Sequence, residues 1–487
     1  MTSKQLDIED AIERLGMGTF QYQILVAAGL CFAADAMEIL LLSFLAVILR
    51  VEWDLQTHQM DTIISVVFAG AMIGTLVLSR LGDLYGRKPV FTVTAVLIAV
   101  FGVATAFCQT YPQLLVARFL VGFGVGGITV PFDTLAEFIP TSHRGIQLLN
   151  IEFFWTGGTL LVPLVAYYSL GHDSETASWQ MFVLLCSIPC IISILLGLYF
   201  VPESPRWLLT RGKDKKALHI LRMAASRNGL DPDETFPSDT LLVDSEPESK
   251  EGYTELFSSK WADLTWKVFG AWLGLAFLYY GVIIAISLVF TVQEEDDGQG
   301  NGGGYGFDYE AIFVSASSEI FGLLLVIWTI EKWGRVPTQV VTYLVGGIFC
   351  CLMLWVETIE DFEYSRMVLV SVAFITRMSM MGAACTTWVS TCELYTTDIR
   401  ATGHGAANAV GRLGGFIAPY IISERTPTRI IGCIVLAVSI LTSWGCSRLP
   451  ETTGIALGGA YASHSDPKTM KNKSTSTSTE SSYNMLT

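Results

Sequence analysis

Three stretches of this chain, residues 89–117, 176–202 and 268–293, contain no Asp, Glu, Lys or Arg at all. Each is longer than the roughly 18 apolar residues that mark a helix crossing a bilayer. A helix satisfies every backbone N–H and C=O within its own segment, which is what a hydrocarbon surrounding demands. Charge is also scarce overall, at 15% of 487 residues, where soluble domains carry roughly 25%. These runs predict an all-α polytopic membrane protein. The net charge of −15, with no basic patch, excludes a nucleic-acid partner. All ten cysteines fall inside apolar segments or at their ends, so neither a disulfide framework nor metal spacing is present.

Twelve apolar segments are expected, near 21–47, 61–80, 89–109, 112–134, 146–169, 179–201, 266–292, 309–330, 337–356, 366–391, 402–422 and 429–448. They divide the chain into a polar N-terminal segment (1–20), a first six-helix bundle (21–201), a charged central loop (202–265), a second bundle (266–450) and a tail (451–487). No cleavable signal is expected in residues 1–20, which carry Asp7, Glu9, Asp10 and Glu13. With the N-terminus inside, the inner segments hold 23 Lys and Arg residues and the outer ones four (Arg50, Arg366, Arg425 and Arg429). Both termini are therefore expected to be cytoplasmic.

The two halves share punctuation. Gly82-Asp83-Leu84-Tyr85-Gly86-Arg87-Lys88 follows the second segment, and Glu331-Lys332-Trp333-Gly334-Arg335 follows the eighth. Arg118 in the fourth matches Arg377 in the tenth, and Glu137 and Arg144 have the same spacing as Glu393 and Arg400. Pro202-Glu203-Ser204-Pro205-Arg206 closes the first half and Pro450-Glu451-Thr452-Thr453-Gly454 the second. Landmarks in one order argue for a parallel six-plus-six duplication, with a substrate site between the halves near mid-membrane.

The Asp-x-x-Gly-Arg-Lys element resembles the major facilitator signature. The Pro-Glu-Ser-Pro-Arg and Pro-Glu-Thr elements resemble marks of its sugar and organic-ion porter branch. A closer resemblance is to the synaptic-vesicle-two-related (SVOP-like) proteins and bacterial nicotinate permeases. It is carried by Ala34-Asp35-Ala36-Met37-Glu38, Arg118-Phe119-Leu120-Val121-Gly122-Phe123-Gly124, Ile151-Glu152-Phe153-Phe154-Trp155, Tyr279-Tyr280-Gly281 and Ser318-Glu319, and extends over residues 20–454. Ser79, Leu84 and Thr396 depart from the family pattern. The resemblance implies transport by alternating access and inner-end salt bridges that act as a gate. The gating candidates are Asp83, Arg87, Glu137, Arg144, Glu203 and Arg206, with Glu331, Arg335, Glu393, Arg400 and Glu451.

Ionisable residues inside a membrane helix are costly and so are candidates for function. Asp35 and Glu38, three apart, share one helix face, which suits a carboxylate that takes and releases a proton with Arg118 nearby. Arg377 and Arg412 cannot shed their charge; each needs an acid, for which Glu152 and Glu319 are available, or an anionic substrate. Trp155, Tyr279, Tyr280 and Trp388 offer ring faces and hydroxyl groups. All of these could instead pair and pack among themselves. Gly122 to Gly127 matches a dinucleotide fingerprint but lies in an apolar span with no preceding strand, so it reads as close helix packing, as do Gly70 and Gly74. No motif for a cofactor, metal or ATP appears, and no catalytic constellation. The loop from Asp231 to Glu251 reads as flexible, and Tyr483 to Leu486 fits a sorting signal for an adaptor.

These features predict a proton-coupled secondary transporter of a small organic ion, monomeric, in the plasma membrane or an endosomal or vesicular membrane. An aromatic carboxylate such as nicotinate is the first expectation. Organic cations, sugars and ligand sensing without flux are the alternatives.

Overall fold

The computed structural model describes residues 5–170, 178–243, 253–291, 307–358, 365–395 and 397–453; Tyr483 to Leu486 lie outside them. Twelve long helices run through these residues: α1 (Thr19–Trp53), α2 (Thr57–Tyr85), α3 (Arg87–Thr105), α4 (Tyr111–Ala136), α5 (Ile146–Leu170), α6 (Trp179–Phe200), α7 (Ala262–Val289), α8 (Tyr309–Thr329), α9 (Arg335–Val356), α10 (Arg366–Leu394), α11 (Thr397–Ile421) and α12 (Thr428–Cys446). All but α11 are long and apolar enough to cross a membrane. That helix is diluted by His404, Asn408 and Arg412, which are all buried, so its polar side chains face protein rather than lipid. Several helices overrun their apolar segments; α1 continues through Arg50 and Glu52 to Trp53. In α4 the helix is interrupted at Gly127 and Ile128, where Pro131 lacks the N–H that would bond four residues back.

Helices α1–α6 form one bundle and α7–α12 the other. Packing repeats between them: α2 on α4 and α8 on α10, α1 on α5 and α7 on α11, α3 on α6 and α9 on α12. The bundles meet along α2 and α11, along α5 and α8, and more lightly along α1 and α7. Glycines set the closest approach. A Cβ on Gly74 would sit 2.0 Å from the Phe123 carbonyl oxygen, and one on Gly122 would sit 2.0 Å from that of Val67. The glycine-rich run is therefore a packing face of α4 on α2.

The helix ends rich in Lys and Arg lie together at one end of the bundles, termed the basic end. There Gln5–Asp7 (β1) pairs in parallel with Leu241–Val243 (β2), burying Leu6 beside Leu242. The helix Ile8–Leu15 then packs on Asp214–Arg227 of the central loop. The stretch expected to be flexible from Asp231 is instead built, as far as Val243, from a short helix (Pro232–Thr235) and β2, because the N-terminal strand gives it a partner.

Candidate functional site

Between the bundles lies a cavity of about 610 Å³. Seven of the residues expected at a site line it: Asp35 from α1, Glu152 and Trp155 from α5, Tyr279 and Tyr280 from α7, Trp388 from α10 and Arg412 from α11. Glu38, Glu319 and Arg377 do not. Phe32, Trp272, Met381 and Asn408 line it unanticipated, although Phe32 and Asn408 stand three and four residues from Asp35 and Arg412 and so share their helix faces.

The buried charges are sorted into pairs. Although Asp35 and Glu38 neighbour each other on α1, they turn to different arginines. Glu38 accepts from Arg118 Nη1 at 2.6 Å, and Thr105 Oγ1 takes the remaining contacts of that guanidinium, all within the first bundle. Asp35 faces Arg412 of the other bundle at 3.7 Å, and Arg412 donates to Tyr280 Oη at 3.2 Å. Glu319 accepts from Arg377 Nε at 2.8 Å and Tyr279 Oη at 2.9 Å on one oxygen, and from Thr159 Oγ1 at 3.0 Å on the other. Trp155 Nε1 donates in turn to Tyr279 Oη at 2.6 Å. This chain crosses between the bundles from α5 to α7 and α8. Glu152 is left over: half-buried in the cavity wall, it has no hydrogen bond or ion pair among the described residues.

On its basic side the cavity is closed by rings. Phe132 of the first bundle stacks edgewise and tilted on His404 and Trp388 of the second, at centroid distances of 6.2 and 5.6 Å, and Phe32 meets Trp388 at 6.5 Å. At the opposite end the bundles are tied by polar groups: Arg50 with Glu424, Ser423 Oγ to Asp61 at 3.2 Å, Ser287 Oγ to Ser43 at 2.9 Å, and Ser65 Oγ to the Phe416 carbonyl at 2.9 Å.

The expected gating residues form two matching clusters. Arg87 bonds Asp83 at 2.7 Å and Glu137 at 3.2 Å, while Arg335 bonds Glu331 at 3.1 Å and Glu393 through two contacts of 2.9 Å. Glu203 accepts from the backbone N–H groups of Arg87 and Lys88, and Glu451 from those of Arg335 and Val336. Each therefore caps the start of the third helix of its bundle. The turn that presents those N–H groups needs positive φ, supplied by Gly86 (108°) and Gly334 (97°). Burial would raise the Glu451 carboxyl, but hydrogen bonds from Thr453 and from the Arg335 and Val336 backbone outweigh it and hold the group below its ordinary value. Arg144 and Arg206 share Glu9 of the N-terminal helix. Among the described residues every ion pair at the basic end lies within one half. The Arg400 side chain lies outside the described residues.

The profile of the family described as "Sugar (and other) transporter" matches residues 21–460. The chain belongs to this family. It is 30% identical to the synaptic vesicle 2-related protein of Xenopus laevis over 449 residues, which cover 88% of this chain and 79% of the relative. It is 28% identical to organic cation/carnitine transporter 7 of Arabidopsis thaliana over 506 residues, 94% and 97% of the two chains. Among solved structures it is similar to the xylose transporter XylE from E. coli in a partially occluded inward open conformation, with a TM-score of 0.67 at 19% identity, covering 90% of this chain and all of the other. That likeness establishes a shared fold. The protein is thus a multi-pass integral membrane transporter of the major facilitator type, SVOP-like in sequence.

Proposed function

We propose that this transporter moves a small organic cation across the membrane by alternating access, coupled to a proton at Glu38. The observation that carries this reading is the unpaired Glu152 in an aromatic-walled cavity. Asp35, Glu38 and Glu319 each face an arginine, so Glu152 is the acid left without a partner at the cavity. A carboxylate in such a place calls for a counter-cation. The faces of Trp155, Trp272, Tyr280 and Trp388 suit an ammonium group, each contact adding about 0.5–2 kcal/mol. The first expectation, a carboxylate held by Arg377 and Arg412, is less well supported: Arg377 is outside the cavity lining and bonded to Glu319, and Arg412 faces Asp35. The name of the Arabidopsis thaliana relative, organic cation/carnitine transporter 7, points in the same direction.

Glu38 is the acid assigned to the proton because it lies away from the cavity, against Arg118 of its own bundle, where substrate does not reach it. Both termini are placed in the cytoplasm on the distribution of Lys and Arg, and the vesicle-related relatives fit a vesicular or plasma membrane. The test is uptake of radiolabelled tetraethylammonium and nicotinate into proteoliposomes, with and without a pH gradient. Saturable tetraethylammonium uptake, lost in Glu152→Gln and no longer driven by the gradient in Glu38→Gln, is expected. Nicotinate uptake with none of tetraethylammonium would return the carboxylate reading; saturable binding without flux would make the protein a sensor.

A further inference from the structure

Among the described residues four acids are fully buried: Asp35, Glu38, Asp61 and Glu319. Three face an arginine. Asp61, only 7% exposed, has a neutral partner instead, the Ser423 hydroxyl at 3.2 Å. The charged groups around it stand farther off: His58 on its own helix, and Glu424 and Arg425 beyond the end of α11. Glu424 is itself occupied by Arg50 at the end of α1, and α7 presents only the Ser287 hydroxyl.

Asp61 lines a second cavity of about 400 Å³, walled by α1 and α2 from one bundle and by α7 and the segment after α11 from the other. Apart from Asp61, Glu424, Thr57 and the serines its walls are apolar, with Met60, Ile64, Ile284 and Ile422. The cavity lies on the same seam as the central one but nearer the end opposite the basic end. Tyr280 of the central cavity wall meets Phe68, one helical turn from Ile64 of the second cavity, with ring centroids 4.7 Å apart. Asp61 and Glu152, which form no ion pair among the described residues, thus line one cavity each. A buried carboxylate without a counter-ion is costly, and aliphatic walls around one suit an ammonium carrying short alkyl groups.

We propose that the outer cavity is a second binding site for the organic cation, filled on the way between the outer solution and the central cavity, with Asp61 as its counter-charge. This rests on the cation reading above. The experiment measures KM for radiolabelled tetraethylammonium entering from the outer side and leaving from the basic side, in sided proteoliposomes of wild type, Asp61→Asn, Asp61→Glu and Glu152→Gln. Asp61→Asn is expected to raise the entry KM about tenfold, equivalent to about 1.4 kcal/mol, with the exit KM unchanged. Asp61→Glu restores entry, and Glu152→Gln impairs both directions. If Asp61→Asn leaves the entry KM as in wild type, or if Asn and Glu impair entry equally, the outer site is wrong while the cation reading stands. If wild type carries no tetraethylammonium in either direction, both readings fall.

Discussion

Removing one partner of the Glu319–Arg377 pair should cost very different amounts depending on which partner goes. Both side chains are almost completely buried, and the Arg377 Nη1 and Nη2 atoms already lack a hydrogen-bond partner, so Glu319 is the one group neutralising this guanidinium among the described residues. Glu319→Leu leaves a cation that cannot deprotonate stranded in the bundle, and losses of this kind run to about 3–5 kcal/mol. Arg377→Met leaves a carboxylate that keeps two donors, Tyr279 and Thr159. Its cost should approach that of one hydrogen bond to a charged group, about 1.5–3 kcal/mol. The double variant leaves no charge behind and should cost less than Glu319→Leu alone. Reversible denaturant unfolding in mixed micelles measures all three. The reasoning fails if Arg377→Met is the more damaging single change, or if the double variant costs the sum of the two.

Further outcomes follow from other parts of the fold. Gly74→Val should abolish recovery of folded protein, since a Cβ there meets the Phe123 carbonyl at 2.0 Å, whereas Gly157→Ala, with open space around it, should express like wild type; size-exclusion yield distinguishes them. Glu451, whose folded carboxyl is held below its ordinary value, contributes stability above about pH 5 that is lost as pH falls through the folded value. Melting curves of wild type and Glu451→Gln should therefore converge in acid and separate near neutrality; parallel curves would remove the cap from the argument. Arg50→Ala breaks a partly exposed pair worth about 0–1 kcal/mol of stability. It should leave the melting temperature almost unchanged yet increase thiol labelling of a Ser287→Cys reporter from the outer side, because one of the ties closing that end is gone.

Much of this architecture is legible in the sequence because membrane helices write themselves as long uncharged runs and because the duplication repeats its punctuation. The glutamates of the Pro-Glu elements are an instance: equal spacing placed Glu203 and Glu451 at equivalent positions, though not as helix caps. What spacing conceals is which way a side chain turns. Asp35 and Glu38 share a helix face, yet one reaches across to Arg412 and the other back to Arg118, a choice made by the helices packed on either side of α1. The pairing of Arg144 with Glu9 was hidden for a similar reason, since nothing in a short polar N-terminal segment announces that it will form a strand with residues more than 230 positions away. The α11 helix shows the reverse case, where polarity that weakens a span on paper marks the face turned toward the cavity.

The two ends of the seam between the bundles are closed by different materials, and this gives the transport cycle an asymmetric response to its surroundings. Opening the end held by Arg50 and Glu424 breaks a partly exposed ion pair, so its equilibrium should shift with ionic strength. Opening the basic side parts Phe132 and Phe32 from Trp388 and His404, which wets aromatic surface and carries a positive heat-capacity change. Salt therefore acts on one half of the cycle and temperature on the other, so the resting orientation of the carrier can be biased either way with its sequence unaltered.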